Sequence, residues 1–209
     1  MKNKIIILFI LCFNFMFSQT IELKQKHYSI IFDTVINQPL SVSYTLKKEM
    51  LNGNFNRTIF KSDPKVSKKK QGTDKDYLKT IFDKGHLAPN DDFKFSLQAQ
   101  KESMYFTNCV PQNRFLNRGT WKSLENYCRD LALKSDVLIQ AGVIYSGSKQ
   151  YIGKLLVPVF FYKIIFYDGI YEAYLIPNIK PKFDNFSLYQ INYLKLKKKI
   201  NGPDNLTKN

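Results

Sequence analysis

The sequence predicts an α+β fold in one domain, a central antiparallel β-sheet flanked by helices, and three observations carry that reading. The C-terminal half holds successive runs of strand formers, VLIQAGVIY (137–145), KLLVPVFFYKIIFY (154–167) and IYEAYLI (170–176). Tyr167-Asp168-Gly169 between the last two reads as a hairpin turn, which makes the pairing antiparallel. Ahead of these runs, Trp121, Leu124, Cys128 and Leu131 recur at helical spacing. Finally, 209 residues with 44% hydrophobic and 15% aromatic content are enough for one core, and no internal repeat or second boundary breaks the chain.

Taken in order, the chain starts with MKNKIIILFILCFNFMFSQT: two lysines, an apolar run from Ile5 to Phe17, then Ser18. This is the layout of a secretory signal, and it is short of the roughly 20 apolar residues that span a bilayer. The expected division is a leader over 1–19 and a domain over 20–209, exported to a secreted or periplasmic destination, with no stable membrane insertion once the leader is removed; a retained anchor is the alternative. VSYTL (42–46) reads as a strand after the turn-like NQP at Asn37–Pro39. Residues 52–75 are polar and basic, with Gly53, Pro64 and Gly72, and read as a long surface connection. SMYFTNCV (103–110) reads as a strand ending at Pro111, followed by a polar bend over 112–119. Thr120 is the expected N-cap of a helix reaching about Leu133. The tail over 185–200 reads as a basic amphipathic helix.

Charge narrows the partner class. The formal charge is +15, and loss of Lys2 and Lys4 with the leader leaves 15 − 2 = +13, an excess that points to a polyanion. The runs KVSKKK (65–70) and KLKKK (195–199), each alone, are equally well read as solvated surface. Cys109 and Cys128 are either a disulfide or two buried thiols.

Elimination then narrows the chemistry. Past the leader there are two histidines, His27 and His86, and two cysteines, none at zinc-ligand spacing. GxSxG, a Walker glycine loop and a paired-glycine dinucleotide fingerprint are all missing from the sequence. What remains is His86 in a short polar turn within FDKGHLAPNDDF (82–93), three asparagines at 108, 113 and 117, and a helix bearing Glu125 and Arg129. An imidazole can take a proton from water near neutral pH, an asparagine carbonyl suits a hard ion such as Mg²⁺, and arginine offers a positive fork to phosphate. These are the parts of a phosphodiester-hydrolysing site. Read alone, Asn117 is a turn or cap residue, Glu125 and Arg129 an ordinary i,i+4 pair, and Asp91 and Asp92 loop or cap residues.

DKGHLAPNDDF followed by YFTNCVPQNRFLNRGTWKSLENYCRDLA resembles the DNA/RNA non-specific endonuclease family of ββα-metal, or His-Me finger, nucleases. The matching pieces are Asp83–Pro89, Thr107–Gln112, Asn117–Glu125 and Arg129, with weaker likeness at Asn56-Arg57, Asp63-Pro64, VPVFFYKII and LIPN. The resemblance implies a ββα-metal active-site motif with His86 as general base. It makes Asn117 the direct ligand of one Mg²⁺, for which Mn²⁺ can substitute, and places Glu125 on waters around the ion. Arg57 and Arg129 would face the phosphate, Lys84 would bind substrate, and Asn108 would brace the loop or touch substrate. Lys84 departs from the family's arginine and loses its planar fork. The implied activity is Mg²⁺-dependent cleavage of DNA and RNA with little sequence preference. The alternative is a weak or inactive secreted nucleic-acid-binding protein of the same fold, and a toxin-like effector would share the chemistry. Oligomeric state is left open.

Overall fold

The computed structural model describes residues 20–201, so the expected leader lies outside the described residues. Strands β1 (Thr20–Lys24), β2 (Ser29–Asp33) and β3 (Gln38–Leu46) open the chain. After the one-turn helix α1 (Asp74–Tyr77) come β4 (Phe82–His86), helix α2 (Leu97–Ser103) and β5 (Cys109–Asn113). Two helical segments follow, α3 (Arg114–Leu116) and α4 (Lys122–Ala132). Strands β6 (Val137–Ile144), β7 (Tyr151–Ile152), β8 (Leu155–Leu156), β9 (Phe160–Tyr167) and β10 (Ile170–Pro177) lead to helix α5 (Tyr193–Asn201). Six strands form one sheet in the order β1-β2-β3-β6-β9-β10, every pair antiparallel. The expected α+β class and antiparallel sheet are what the structure has.

The β9–β10 turn follows from its sequence. Asp168 and Gly169 both take positive φ, 46° and 79°, as a two-residue turn matched to strand twist requires. Asp168 tolerates this conformation and Gly169 adopts it without a Cβ penalty.

Each face of the sheet buries a different layer. On one, Val42, Leu46, Val137, Ile139, Phe161 and Ile165 pack with Trp121, Leu124 and Cys128 of the α4 region, and Leu87 and Val110 join from the β4–β5 side. Trp121 and Leu124 are wholly buried, and each such side chain contributes on the order of 1.5–3 kcal/mol. On the other face, Ile144, Tyr162, Ile164 and Ala173 pack with Leu196 of α5. The basic tail is thus helical only from Tyr193; Phe186–Tyr189 form a separate 3₁₀ turn.

Three local expectations are corrected. Residues 103–108 are not strand: α2 ends at Ser103 and a 3₁₀ turn spans Phe106–Asn108, held by Asn108, whose side chain takes over backbone groups of Ala88 and Ser103. The strand begins at Cys109 and runs through Pro111, which is tolerated because β5 pairs with β4 alone. The bend expected over 112–119 is largely helical, and Thr120 caps nothing: it is fully buried within a wide i→i+5 turn over Asn117–Trp121, in which Gly119 leaves helical geometry at φ −110°, ψ −106°. Cys109 and Cys128 are both free and buried.

Candidate active site

His86 ends β4 rather than sitting in a turn, paired in register with Cys109 of β5. Gly85 beside it serves the pairing, because a Cβ there would lie 2.4 Å from the Gln112 Cβ. The imidazole stacks on Phe60 with centroids 4.9 Å apart, and its Nε2 lies 3.3 Å from the Met104 Sδ. A thioether only accepts, so Nε2 carries the proton and Nδ1 is the basic nitrogen. Burial, aided by the positive charges of Arg57 and Lys84 against an opposing pull from Asp91, lowers the His86 pKa to about 3. The ring is therefore neutral, a proton acceptor, throughout the physiological range.

Asn117 opens the wide turn that leads into α4. Its amide Nδ2 donates to Asp83 Oδ2 at 3.0 Å, which leaves Oδ1 as an acceptor turned away from that bond. Asp83, on β4, is in turn gripped by Arg118 through Nε to Oδ2 and an Nη2 to Oδ1, both at 2.8 Å. Burial works against its charge, but the hydrogen bonds from Arg118 and Asn117 outweigh that and hold its pKa below the ordinary carboxylate range. Eight residues separate Asn117 from Glu125. A purely α-helical count would put them off one face, but the break at Gly119 lies between them, so their relative direction is set by that kink and not by one continuous helix.

Glu125 is partly buried and, among the described residues, makes no hydrogen bond or ion pair. Burial first, then the negative charges of Asp92 and Asp91, push its pKa up to about 7 against the pull of Lys163 and Arg129. A carboxylate in that state is one that a cation would relieve. Two hard oxygen donors, Asn117 Oδ1 and Glu125, with no further acid committed, fit an ion such as Mg²⁺ that keeps most of its own waters. Among the described residues no group of three or more His, Cys, Asp or Glu gathers that could hold a metal by itself.

Arg129 does not pair with Glu125. Its Nη1 donates to Asp92 Oδ1 at 2.8 Å and its Nη2 to Asn126 Oδ1 at 2.6 Å. Asp92 is 1% exposed and also accepts from the Tyr44 hydroxyl at 2.8 Å, so it is the anchor of Arg129 and no mere loop acid. Asp91 pairs with Lys94 at 2.6 Å. Its field reaches both His86 and Glu125, and it is itself stabilised by Arg129 and Arg57, which ties these five groups into one electrostatic neighbourhood. Arg57 is exposed, with its guanidinium carbon 5.7 Å from the centre of the Phe60 ring. Lys84 lies over the same ring at 4.6 Å and pairs with Asp74. Asn108 is corrected as a substrate group: it is fully buried, its Oδ1 takes the Ala88 N–H at 2.9 Å, and its Nδ2 donates to Ala88 O and Ser103 O, both at 2.8 Å. It braces the chain after His86 and has nothing left to offer a ligand.

Sequence reasoning missed Asp83 and Asp92 as positioning groups. The signal for Asp83 was its place in DKGH, three residues before the histidine; for Asp92 there was none short of the tertiary contact with Arg129.

Two paired strands, β4 ending in the histidine, followed by the turn that the asparagine opens and the helix α4 that bears the glutamate, define the ββα-metal class of nuclease fold. A sequence model of the DNA/RNA non-specific endonucleases matches residues 12–207, and the chain belongs to that family. It is 37% identical over 154 residues to the mitochondrial nuclease EXOG of Danio rerio, covering 66% of this chain and 45% of that protein. It is 31% identical over 187 residues to mitochondrial nuclease 1 of Schizosaccharomyces pombe (77% and 58% covered). It is 29% identical over 178 residues to the mitochondrial endonuclease G of Bos taurus (75% and 60%). The chain spans about half the length of the curated relatives it matches. The fold is shared with EndoG as solved in the EndoG/EndoGI complex, with a TM-score of 0.76 at 23% identity over 85% of this chain and 82% of that one. The mitochondrial location of these relatives overturns the secreted or periplasmic destination expected from the N-terminal run.

Proposed function

We propose that the chain is a divalent-metal-dependent endonuclease that hydrolyses phosphodiester bonds of DNA and RNA with little sequence preference, Mg²⁺ being the natural ion and Mn²⁺ a substitute. The observation that carries this reading is the ββα arrangement, in which His86 ends β4 and Asn117, ahead of α4, is tied through its amide to Asp83 of the same strand, leaving its carbonyl free. Asn117 would hold the ion, with Glu125 steadying waters around it, and the chemistry it would supply there is Lewis-acid stabilisation of negative charge on the phosphate and leaving oxygen. His86 Nδ1 accepts the proton of the attacking water, its lone pair being free at pH 7 because the ring is neutral. Arg129, fixed by Asp92, and exposed Arg57 offer positive charge where the phosphate gains negative charge, while Lys84 adds to the same field. The net charge of +15 suits a polyanionic substrate.

A second reading, binding without catalysis, rests on Lys84, whose ammonium is already committed to Asp74 and the Phe60 face. One experiment separates the two. Folded protein is incubated with plasmid DNA and with RNA at millimolar Mg²⁺, with and without EDTA. Cleavage of both that EDTA abolishes supports the nuclease; intact substrates alongside salt-sensitive binding support the second reading.

A further inference from the structure

Beside the site lies a basic cleft that the chemistry above does not use. It has a volume of about 450 Å³ and is lined by Arg114, Phe115, Arg118, Gly119, Lys180, Pro181, Lys182 and Asp184, a set with four cations and one carboxylate. That volume lies in the usual range of sites for molecules of nucleotide size, about 300–1,000 Å³.

The cleft is held by the same elements as the site. Arg118 forms part of its wall and grips Asp83, which orients Asn117. Across from it, the segment that begins at Asn178 is clamped to the end of β5. Asn178 Oδ1 takes the Asn113 N–H at 2.8 Å, and its Nδ2 donates to Pro111 O at 3.0 Å and Pro158 O at 2.9 Å. Gly119 allows the two walls to approach, since a Cβ there would stand 2.8 Å from Asp184 Oδ1. Arg114 is tied to the Ile81 carbonyl and Arg118 to Asp83, so both guanidinium groups are fixed. Lys180 and Lys182 are exposed and, among the described residues, have no ion pair. Phe115 is 51% exposed, with the Lys180 ammonium 5.0 Å from its ring centre.

An exposed aromatic ring beside cations that no carboxylate neutralises, Lys180 over Phe115 and Lys182 over Phe183, is the pattern that takes a base and its phosphate together. We propose that this cleft is a nucleotide subsite for the strand flanking the scissile bond, in which Lys180 and Lys182 hold backbone phosphates and Phe115 stacks a base. The subsite rests on the nuclease reading, because it takes the substrate strand as it leaves the Asn117 side of the site. Its phosphates are read as charge and its base as a flat surface, so it extends the footprint without adding sequence preference.

The test is binding of a fluorescent single-stranded oligonucleotide in EDTA, where cleavage plays no part. Lys180→Ala with Lys182→Ala is expected to weaken affinity about tenfold near 0.1 M salt and to reduce the slope of log K against log salt by about 1.4, two phosphates at roughly 0.7 each. Phe115→Ala is expected to weaken affinity about fivefold or more with the slope unchanged. All three side chains are exposed, so the variants fold. Lys195→Ala with Lys197→Ala, removing equal charge from the exposed face of α5, serves as the control and is expected to change affinity less than twofold. Equal losses from both lysine pairs, or unaltered affinity in the cleft variants, would overturn the subsite. A parent protein that binds in this pattern yet cleaves nothing overturns the nuclease reading alone; one that cleaves, with cleft variants unaltered, overturns the subsite alone.

Discussion

Asp83→Ala is the perturbation that separates orientation of the metal ligand from stability of the fold. It removes the acceptor of the Asn117 amide, the one hydrogen bond that amide has among the described residues, and both bonds from Arg118. Arg118 is exposed, so losing that pair costs the fold little. Asn117 is affected more: an amide free to rotate loses about 0.5–1.5 kcal/mol of orienting free energy, a factor of about 2 to 13. Groups that orient a metal ligand from behind commonly cost 10–100-fold in metal affinity when removed, so about tenfold is the expected effect. The assay is initial cleavage rate against Mg²⁺ concentration. The half-saturating Mg²⁺ should rise about tenfold, with most of the maximal rate restored at high Mg²⁺ and the melting temperature nearly unchanged. The Asp83 pKa is lowered by folding, so the contribution of these bonds is complete above about pH 4 and is lost only as pH falls through the folded value. The defect should therefore be constant from pH 5 to 9. An unaltered Mg²⁺ requirement would refute the assignment of Asn117 as a ligand set by Asp83.

Two further outcomes follow from the same geometry. His86, at about 3, stays neutral as pH falls through 6.5, whereas Glu125, at about 7, takes up a proton below neutrality unless a cation displaces it. The acid limb of kcat/KM should thus lie near 7 at limiting Mg²⁺ and move down as Mg²⁺ is raised, and a limb fixed at 6.5 at every Mg²⁺ concentration would contradict this. Asp92→Ala strips the buried anchor from Arg129 and Tyr44 and should cost about 3 kcal/mol or more in urea unfolding, with a loss below about 1 kcal/mol counting against the anchor.

The parts of the molecule legible in the sequence are those whose cause is local. The β9–β10 turn was visible because Asp168 and Gly169 are the residue types a positive φ demands. The α4 stripe was visible because Trp121, Leu124 and Cys128 face one core. His86 and Asn117 stand out in the sequence through a multi-part motif rather than through their own environments. The misses have non-local causes. β4 carries polar residues and becomes strand only by pairing with β5, so FDKGH read as a turn. α2 rests on the Ser96 cap and packs through Ala99, a single small apolar residue among polar ones. The kink at Gly119 interrupts the helical run between Asn117 and α4, and spacing alone does not reveal it. Asp92 looked like a solvated acid because its partners, Tyr44 and Arg129, lie 48 and 37 residues away.

The role proposed for His86, proton acceptor in a metal-dependent phosphodiester hydrolysis, is read out by His86→Ala compared with the parent on plasmid DNA and RNA at saturating Mg²⁺. The expected rate is lower by about 10²–10⁴-fold, with oligonucleotide affinity in EDTA retained. A variant that cleaves at the parental rate would contradict it.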